Sequence, residues 1–186
     1  MNEKEYSRKF VELFSPHFNL FPSVYMRHPI AGSDLIIDFV GFSRNESVLG
    51  PIGFEIKDPL RWDSSTGHFR GFTSALAQCM DYQNRLINSQ FKDTEYTQFF
   101  NTRLRYTFLF PVDPKWAYQF ELDESISSNM AQGALKLAGK FGVGAVCEAK
   151  YDWLMTLGGC HAFSLKNGPN DLFYKHAVAT RTGSSK

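Results

Sequence analysis

Two carboxylates and a lysine occur in two consecutive apolar runs of this chain. Asp38 lies within the first run, and Glu55 and Lys57 alternate with Phe54 and Ile56 in the second. If the second run is a strand, Glu55 and Lys57 share one face, roughly 6–7 Å apart along it. Burying two acids and an ammonium group on a sheet is unfavourable unless they pair or hold a cation. Two carboxylates with a backbone carbonyl suit Mg²⁺ or Mn²⁺, and a lysine beside such an ion can position or deprotonate an attacking water.

The acid-x-lysine spacing has little specificity by itself. The chain contains a second copy, Glu148-Ala149-Lys150, and a salt bridge on a surface strand would give the same pattern. Three features favour the first copy: apolar residues flank it, an acid-bearing apolar run precedes it at hairpin distance, and a helix with a polar edge follows it. We therefore take Glu55 and Lys57 as the functional candidates.

A helix predicted over residues 73–89 carries this polar edge. Gln78, Tyr82 and Arg85 form a row beside its apolar face. An amide, a phenol and a guanidinium group in one row can contact a phosphate backbone. An ordinary amphipathic helix with a half-buried tyrosine fits the same spacing.

The elements that must position these residues follow from the periodicity of the sequence. We predict a helix over 3–14, strands over 23–30, 34–42, 51–57 and 105–110, a helix over 128–141 capped by Ser128 or Asn129, and further strands within 143–157. Alternation along the second strand places Leu35, Ile37 and Phe39 on one face and Asp38 on the other. This order predicts an α/β fold, with a mixed sheet flanked by helices. We expect one domain over residues 1–179 and a disordered tail over 180–186.

Composition excludes several classes of protein. The chain has 186 residues and a formal net charge of +1, so a broad basic coat for nucleic acid is absent, although a local basic groove stays open. Its three cysteines are widely spaced and lack a CxxC motif, which argues against a disulfide scaffold, a cysteine-rich zinc site and a four-cysteine iron–sulfur cluster. Since no apolar run is long enough to span a bilayer, we expect no membrane partner and a cytoplasmic location.

Taken together, the candidate residues resemble a known family in type and order. The match is to the PD-(D/E)xK nuclease superfamily, and within it the RecB-type branch with a QxxxY motif, through Asp38, Glu55-Ile56-Lys57 and Gln78-x-x-x-Tyr82. The resemblance covers about residues 1–115, while residues 116–186 match only as a generic helix with strands. It implies a restriction-endonuclease-like core, with a three-stranded meander, further strands and flanking helices.

The resemblance also implies a role for each matched position. Asp38, Glu55 and the carbonyl oxygen of Ile56 would be the ligands of Mg²⁺ (or Mn²⁺). Lys57 would be the catalytic lysine. The proline of the family motif is missing, since Ile37 precedes Asp38.

Other positions are assigned by the resemblance or stay open. Gln78 and Tyr82 would shape the site and bind DNA. Many such nucleases carry an acid on the first helix, for which Glu12 is preferred here to Glu5. Asp34 is a rival for the first acid, but it lies roughly 13 Å from Asp38 along an extended strand.

We therefore expect a Mg²⁺-dependent deoxyribonuclease that hydrolyses phosphodiester bonds. It would be a small stand-alone phage, mobile-element or DNA repair and recombination enzyme, with a homodimer left open. A catalytically impaired nuclease fold that binds nucleic acid or protein is the alternative. A metal-dependent phosphohydrolase acting on nucleotides is a third reading. The sequence does not fix the choice between endonuclease, exonuclease and resolvase, or the strand state of the substrate.

Overall fold

The computed structural model describes residues 2–45, 50–58, 68–92, 94–117 and 126–169. Within these ranges the chain forms a mixed α/β fold built on one nine-stranded sheet, in the order β4-β1-β2-β3-β5-β6-β7-β8-β9. The predicted α/β class is confirmed at this level. The predicted tail at 180–186 lies outside the described residues, as does the end of the predicted domain at residue 179.

The sheet combines antiparallel and parallel pairs. Its strands are β1 (Phe18–Arg27), β2 (Asp34–Ser43), β3 (Ile52–Ile56), β4 (Leu86–Ile87), β5 (Tyr106–Val112), β6 (Val143–Ala149), β7 (Asp152–Leu157), β8 (Cys160–Ser164) and β9 (Gly168–Pro169). The first three strands form the predicted antiparallel meander. Strands β3, β5 and β6 are mutually parallel, and the later strands add on antiparallel.

Four α-helices lie within the described ranges: α1 (Glu3–Phe14), α2 (His68–Gln83), α3 (Pro114–Ala117) and α4 (Ile126–Gly139), with a 3₁₀ helix at Glu95–Phe99. The first begins at a capping box, in which Asn2 and Glu5 exchange side-chain and backbone hydrogen bonds. None of the helices in this part of the chain is long and apolar enough to cross a membrane.

Helices pack on both faces of the sheet. Along β5, Phe108 and Phe110 contribute to the same core as Phe10 of α1, whereas Leu109 packs in a second core with Phe72 of α2. Since neighbouring side chains of a strand point to opposite faces, α1 and α2 cover opposite faces. On β3, Phe54 lies against Phe10, with ring centroids 4.9 Å apart. Glu55 therefore points to the face of α2.

The alternation of β1 and β2 reverses at one cross-strand position. Ile37 packs in the core that contains Tyr82, but Phe39, two residues later, packs against Phe10 on the opposite face. The expectation that Ile37 and Phe39 share a face is therefore wrong. Ser23 lies opposite Asp38 in the strand register, and its φ of 52° departs from extended geometry. This backbone departure accompanies the reversal and places Asp38 at the junction between the two packing environments.

Two predicted helix boundaries need correction. The helix predicted over 73–89 begins at His68 and ends at Gln83, because Leu86 and Ile87 pair with β1 as strand β4. Ser128 and Asn129, predicted as caps, lie inside α4, which begins at Ile126. Both errors arise because helical periodicity detects a buried face but not tertiary pairing of the backbone.

Candidate functional site

Asp38 and Glu55 meet where β2 and β3 end their pairing. The antiparallel register joins Phe39 to Phe54, so the next opposed pair is Asp38 and Glu55. Asp38 Oδ2 accepts a hydrogen bond of 2.7 Å from the backbone N–H of Ile56. This bond fixes the first carboxylate at the end of β3, beside the second.

Glu55 and Lys57 form a contact at the end of the same strand. Lys57 Nζ donates to Glu55 Oε1 at 2.5 Å, and the Lys57 backbone N–H donates to the carbonyl of Phe110 at 2.8 Å. Glu55 is only 2% exposed, and its second oxygen, Oε2, has no hydrogen-bond partner among the residues that the structure describes. A buried carboxylate oxygen without a donor is unfavourable, so this atom is suited to accept a cation or a proton.

The electrostatic environment favours a proton on Glu55 when no cation is bound. Burial and then the charge of Asp38 raise the pKa of Glu55 to about 7, against the lowering effect of the Lys57 ammonium group. Burial also raises the pKa of Asp38, although the Ile56 hydrogen bond opposes it. Burial disfavours the charge of Lys57, but its hydrogen bond with Glu55 prevails and raises the pKa of the lysine. The ammonium group is therefore retained beside the two acids.

Gln78 and Tyr82 support the site from α2. The Tyr82 hydroxyl donates to the carbonyl of Ile36 at 2.7 Å and accepts from Gln78 Nε2 at 2.8 Å. The Tyr82 side chain is fully buried, and burial raises its pKa. These bonds tie α2 to β2 two residues before Asp38. The shaping role implied for this pair has a structural basis in these contacts, while DNA binding by Gln78 and Tyr82 stays a prediction.

Arg85 does not belong to the polar row predicted for this helix. It follows the end of α2, is 6% exposed, and bonds Asp81 through its Nε and Nη2 atoms. Its Nη1 donates to the carbonyl of Ser33 at 2.8 Å. The guanidinium group thus uses its hydrogen bonds to hold the β1–β2 hairpin and is not positioned to bind a phosphate.

The structure separates the two rivals for the first acid. Asp34 pairs with Arg27 at 3.1 Å near the hairpin turn, and this bond with Arg27 lowers the pKa of Asp34. Asp38 alone of the two contacts the end of β3. The expected preference for Asp38 over Asp34 therefore agrees with the geometry.

This assignment predicts different outcomes for two matched substitutions. Asp38→Asn should lower metal-dependent DNA cleavage by at least about 100-fold, because it removes a charge next to Glu55. Asp34→Asn should leave cleavage within about twofold of wild type, because it disturbs only exposed contacts, the ion pair with Arg27 and a hydrogen bond of 3.4 Å from Asn88. Initial rates on one DNA substrate measure both. Equal losses in the two variants would contradict the assignment.

Among the acids of α1, Glu3 is the one whose charge acts on the site, and the sequence analysis did not consider it. Glu5 is used in the capping box, and Glu12 is exposed further along the helix. The charge of Glu3 is felt at Asp38 and Lys57, where it contributes to the raised pKa of each. Glu3 lies seven residues before Phe10, on the same side of the helix, but it is exposed at the first turn of α1. The seven-residue spacing from Phe10 is the sequence feature from which Glu3 could have been predicted.

The donor set fits a hard divalent cation, with two protein carboxylates. The Oε2 atom of Glu55 is buried and unpartnered, and Asp38 supplies a second carboxylate across the strand pair. The residues that the structure describes contain no cluster of three His, Cys, Asp or Glu side chains that could hold a metal. Mg²⁺ commonly binds through one or two carboxylates and keeps several waters. Asp38, Glu55 and the Ile56 carbonyl are thus the candidate ligands.

Comparison of the chain with protein-family models, curated proteins and solved structures gave no match. The functional argument therefore rests on the motif residues and on the contacts that they make.

Proposed function

We propose that this protein is a metal-dependent deoxyribonuclease with a restriction-endonuclease-like core. The observation that carries the proposal is the buried Glu55 carboxylate, with Oε2 unpartnered, Oε1 bonded to Lys57, and Asp38 opposite. A buried acid and a half-buried acid, with a retained ammonium group beside them, suit a site where a cation and a phosphate meet. The QxxxY helix adds support, because Tyr82 anchors β2 next to Asp38.

Each residue has a distinct role in this proposal. Asp38 and Glu55 hold Mg²⁺ (or Mn²⁺), together with the Ile56 carbonyl. When bound, the ion supplies Lewis-acid polarisation of the scissile phosphate. Lys57 positions the attacking water and stabilises negative charge that develops on the phosphate oxygens. Glu3, whose charge acts on Asp38 and Lys57, helps to keep this lysine protonated.

The direct test is DNA cleavage by the purified chain with Mg²⁺, Mn²⁺ or EDTA. We expect cleavage with either cation and complete loss of cleavage with EDTA. Without the cation, the two carboxylates carry the same sign of charge as the phosphate and cannot neutralise it. Single-stranded, linear duplex and supercoiled DNA should be compared, since nicking of the supercoiled form distinguishes an endonuclease from an exonuclease. The Asp38→Asn variant, purified in parallel, controls for contaminating nucleases.

Two other results would replace the proposal. A folded wild type that cleaves no DNA but binds it would favour a catalytically impaired nuclease fold that serves as a binding module. Hydrolysis of nucleotides without cleavage of polynucleotides would favour a nucleotide phosphohydrolase. Cleavage that persists in EDTA would exclude a metal-dependent mechanism.

A further inference from the structure

The end of the β1–β2 hairpin carries an exposed apolar pair next to the site. Tyr25 and Ile36 are cross-strand partners, 49% and 48% exposed. Their neighbours Val24 and Ile37 pack in the core that contains Tyr82, so Tyr25 and Ile36 face away from α2. Large half-exposed side chains side by side on a sheet surface form a platform on which a flat ring can stack.

This platform lies on the face that α1 covers, but beyond the reach of the helix. Lys4, in the first turn of α1, lines the same groove as Phe39, the residue next to Asp38, so the helix begins near that part of β2. The C-terminal half of α1 packs over the later part of β2 through Phe10 and Phe39. Ile36 precedes Asp38 by two residues. The candidate site therefore lies between the part of β2 that α1 covers and the part that α1 leaves exposed.

On the covered side, a groove of about 450 Å³ runs along the flank of α1. It is lined by Lys4, Ser7, Arg8, Val11, Glu12 and Phe39. The exposed side chains of Lys4 and Arg8 make no hydrogen bond or ion pair within the described part of the chain. They lie one helical turn apart and follow directly on Glu3. The groove thus carries two cations and one carboxylate, Glu12, over an apolar floor, and its net positive charge fits a phosphate–sugar backbone.

We propose that these two surfaces bind single-stranded DNA on either side of the candidate site. Lys4 and Arg8 contact backbone phosphates, and an unpaired base stacks on Tyr25 beside Ile36. An unpaired strand is favoured over a duplex because stacking on Tyr25 needs a free base face, which base pairing and stacking within a duplex conceal. The near-neutral net charge agrees, since it provides no broad basic surface for a duplex. This inference rests on the proposed function, because the platform and the groove are placed by their position next to Asp38.

The test is equilibrium binding of fluorescent 12-nucleotide oligonucleotides to the full chain in EDTA, followed by anisotropy. We expect the single strand to bind more tightly than the matched duplex. Tyr25→Ala should weaken single-strand binding by about tenfold, and Tyr25→Phe should retain it, because the ring does the stacking. Lys4→Gln with Arg8→Gln should weaken binding and reduce the salt dependence, lowering the slope of log K against log salt by about 1.4.

A matched control is available on the turn between β6 and β7. Tyr151 is 78% exposed, and Lys150 Nζ lies 5.1 Å from the centre of its ring. Tyr151→Ala with Lys150→Gln therefore removes an exposed tyrosine and a cation that belong to neither the platform nor the lining of the groove, and should leave binding unchanged. Thermal unfolding of every variant verifies that it is folded.

Several outcomes would overturn the inference. If Tyr25→Ala bound single-stranded DNA with wild-type affinity, base stacking on Tyr25 would be excluded. The exposed Tyr25–Ile36 pair would then be better explained as a contact surface for a protein. Tighter binding of the duplex, or equal losses in the control variant, would also contradict it. Because no metal is present, the result is independent of catalysis: a chain that binds through Tyr25 but never cleaves would refute only the proposed function. If the chain cleaves DNA but Tyr25→Ala does not change the affinity for the single strand, only this inference is refuted.

Discussion

Replacing Lys57 with alanine is expected to lower the rate of metal-dependent DNA cleavage by at least about 100-fold. The ammonium group lies 2.5 Å from Glu55 Oε1, beside the two acids. In the proposed mechanism, its loss would remove both the positioning of water and the stabilisation of charge on the phosphate. Initial rates at saturating Mg²⁺, on the substrate that wild type cleaves best, measure the effect.

The second acid-x-lysine copy provides the control. Glu148 is exposed and pairs with Lys9 at 3.4 Å, and Lys150 lies over the ring of Tyr151. Lys150→Ala should cleave DNA at the wild-type rate, because this copy has no buried acid and no opposing carboxylate. If both alanine variants lost activity equally, the assignment of Lys57 would be wrong. Since Lys57 lowers the pKa of Glu55, its removal raises that pKa further. Rates should therefore be measured over a range of rising pH, so that a proton retained on Glu55 is distinguished from the loss of the lysine itself.

The second large effect concerns the stability of the metal-free protein. The pKa of Glu55 rises from its ordinary value of 4.5 to about 7 in the folded state. The folded chain therefore binds this proton more tightly than the unfolded chain does. The resulting stabilisation is present in full below about pH 4.5 and is lost as the pH rises to about 7. Its size is roughly 3 kcal/mol of unfolding free energy.

Denaturant unfolding in EDTA between pH 5 and pH 8 measures this dependence. Wild type should lose stability over this range through Glu55, and Glu55→Gln should remove that part of the slope, because the amide has no proton to lose. Glu148→Gln is the matched control and should keep the wild-type profile. Identical slopes in wild type and Glu55→Gln would refute the raised pKa.

Magnesium should reverse the trend. Because the cation binds the ionised carboxylate, Mg²⁺ should raise the melting temperature of wild type more at pH 8 than at pH 5.5. Glu55→Gln should lose most of this shift at pH 8. An equal Mg²⁺ shift in wild type and Glu55→Gln would place the metal elsewhere in the protein.

Local patterns were sufficient to predict the meeting of Asp38 and Glu55. Both lie in apolar runs that are separated by one connection, and an antiparallel hairpin then sets them opposite each other. The same patterns predicted the helix of α1 and the strand of β5. These elements depend on interactions between near neighbours in the sequence, or on a continuous apolar run.

The remaining features depend on contacts between distant segments. The change of face at Asp38 occurs opposite Ser23, a residue of another strand whose φ is positive. The alternation of side chains along a single strand cannot predict such a change. The end of α2 depends on the pairing of Leu86 with Arg27 of β1. Glu3 was missed because its role depends on where the first turn of α1 meets the sheet. In the C-terminal third, the alignment of β6 with β5 is likewise non-local.

The reversal at Ser23 and Asp38 allows one pair of strands to serve two separate interiors. The core that contains Tyr82 continues across this position, because Ile37 on the hairpin side and Val40 on the other side both pack in it. The aromatic core around Phe10 includes Phe39 but no β2 residue on the hairpin side. Asp38 therefore lies where one interior ends and the other continues, and beyond it Ile36 is left exposed on the face that the Phe10 core no longer covers.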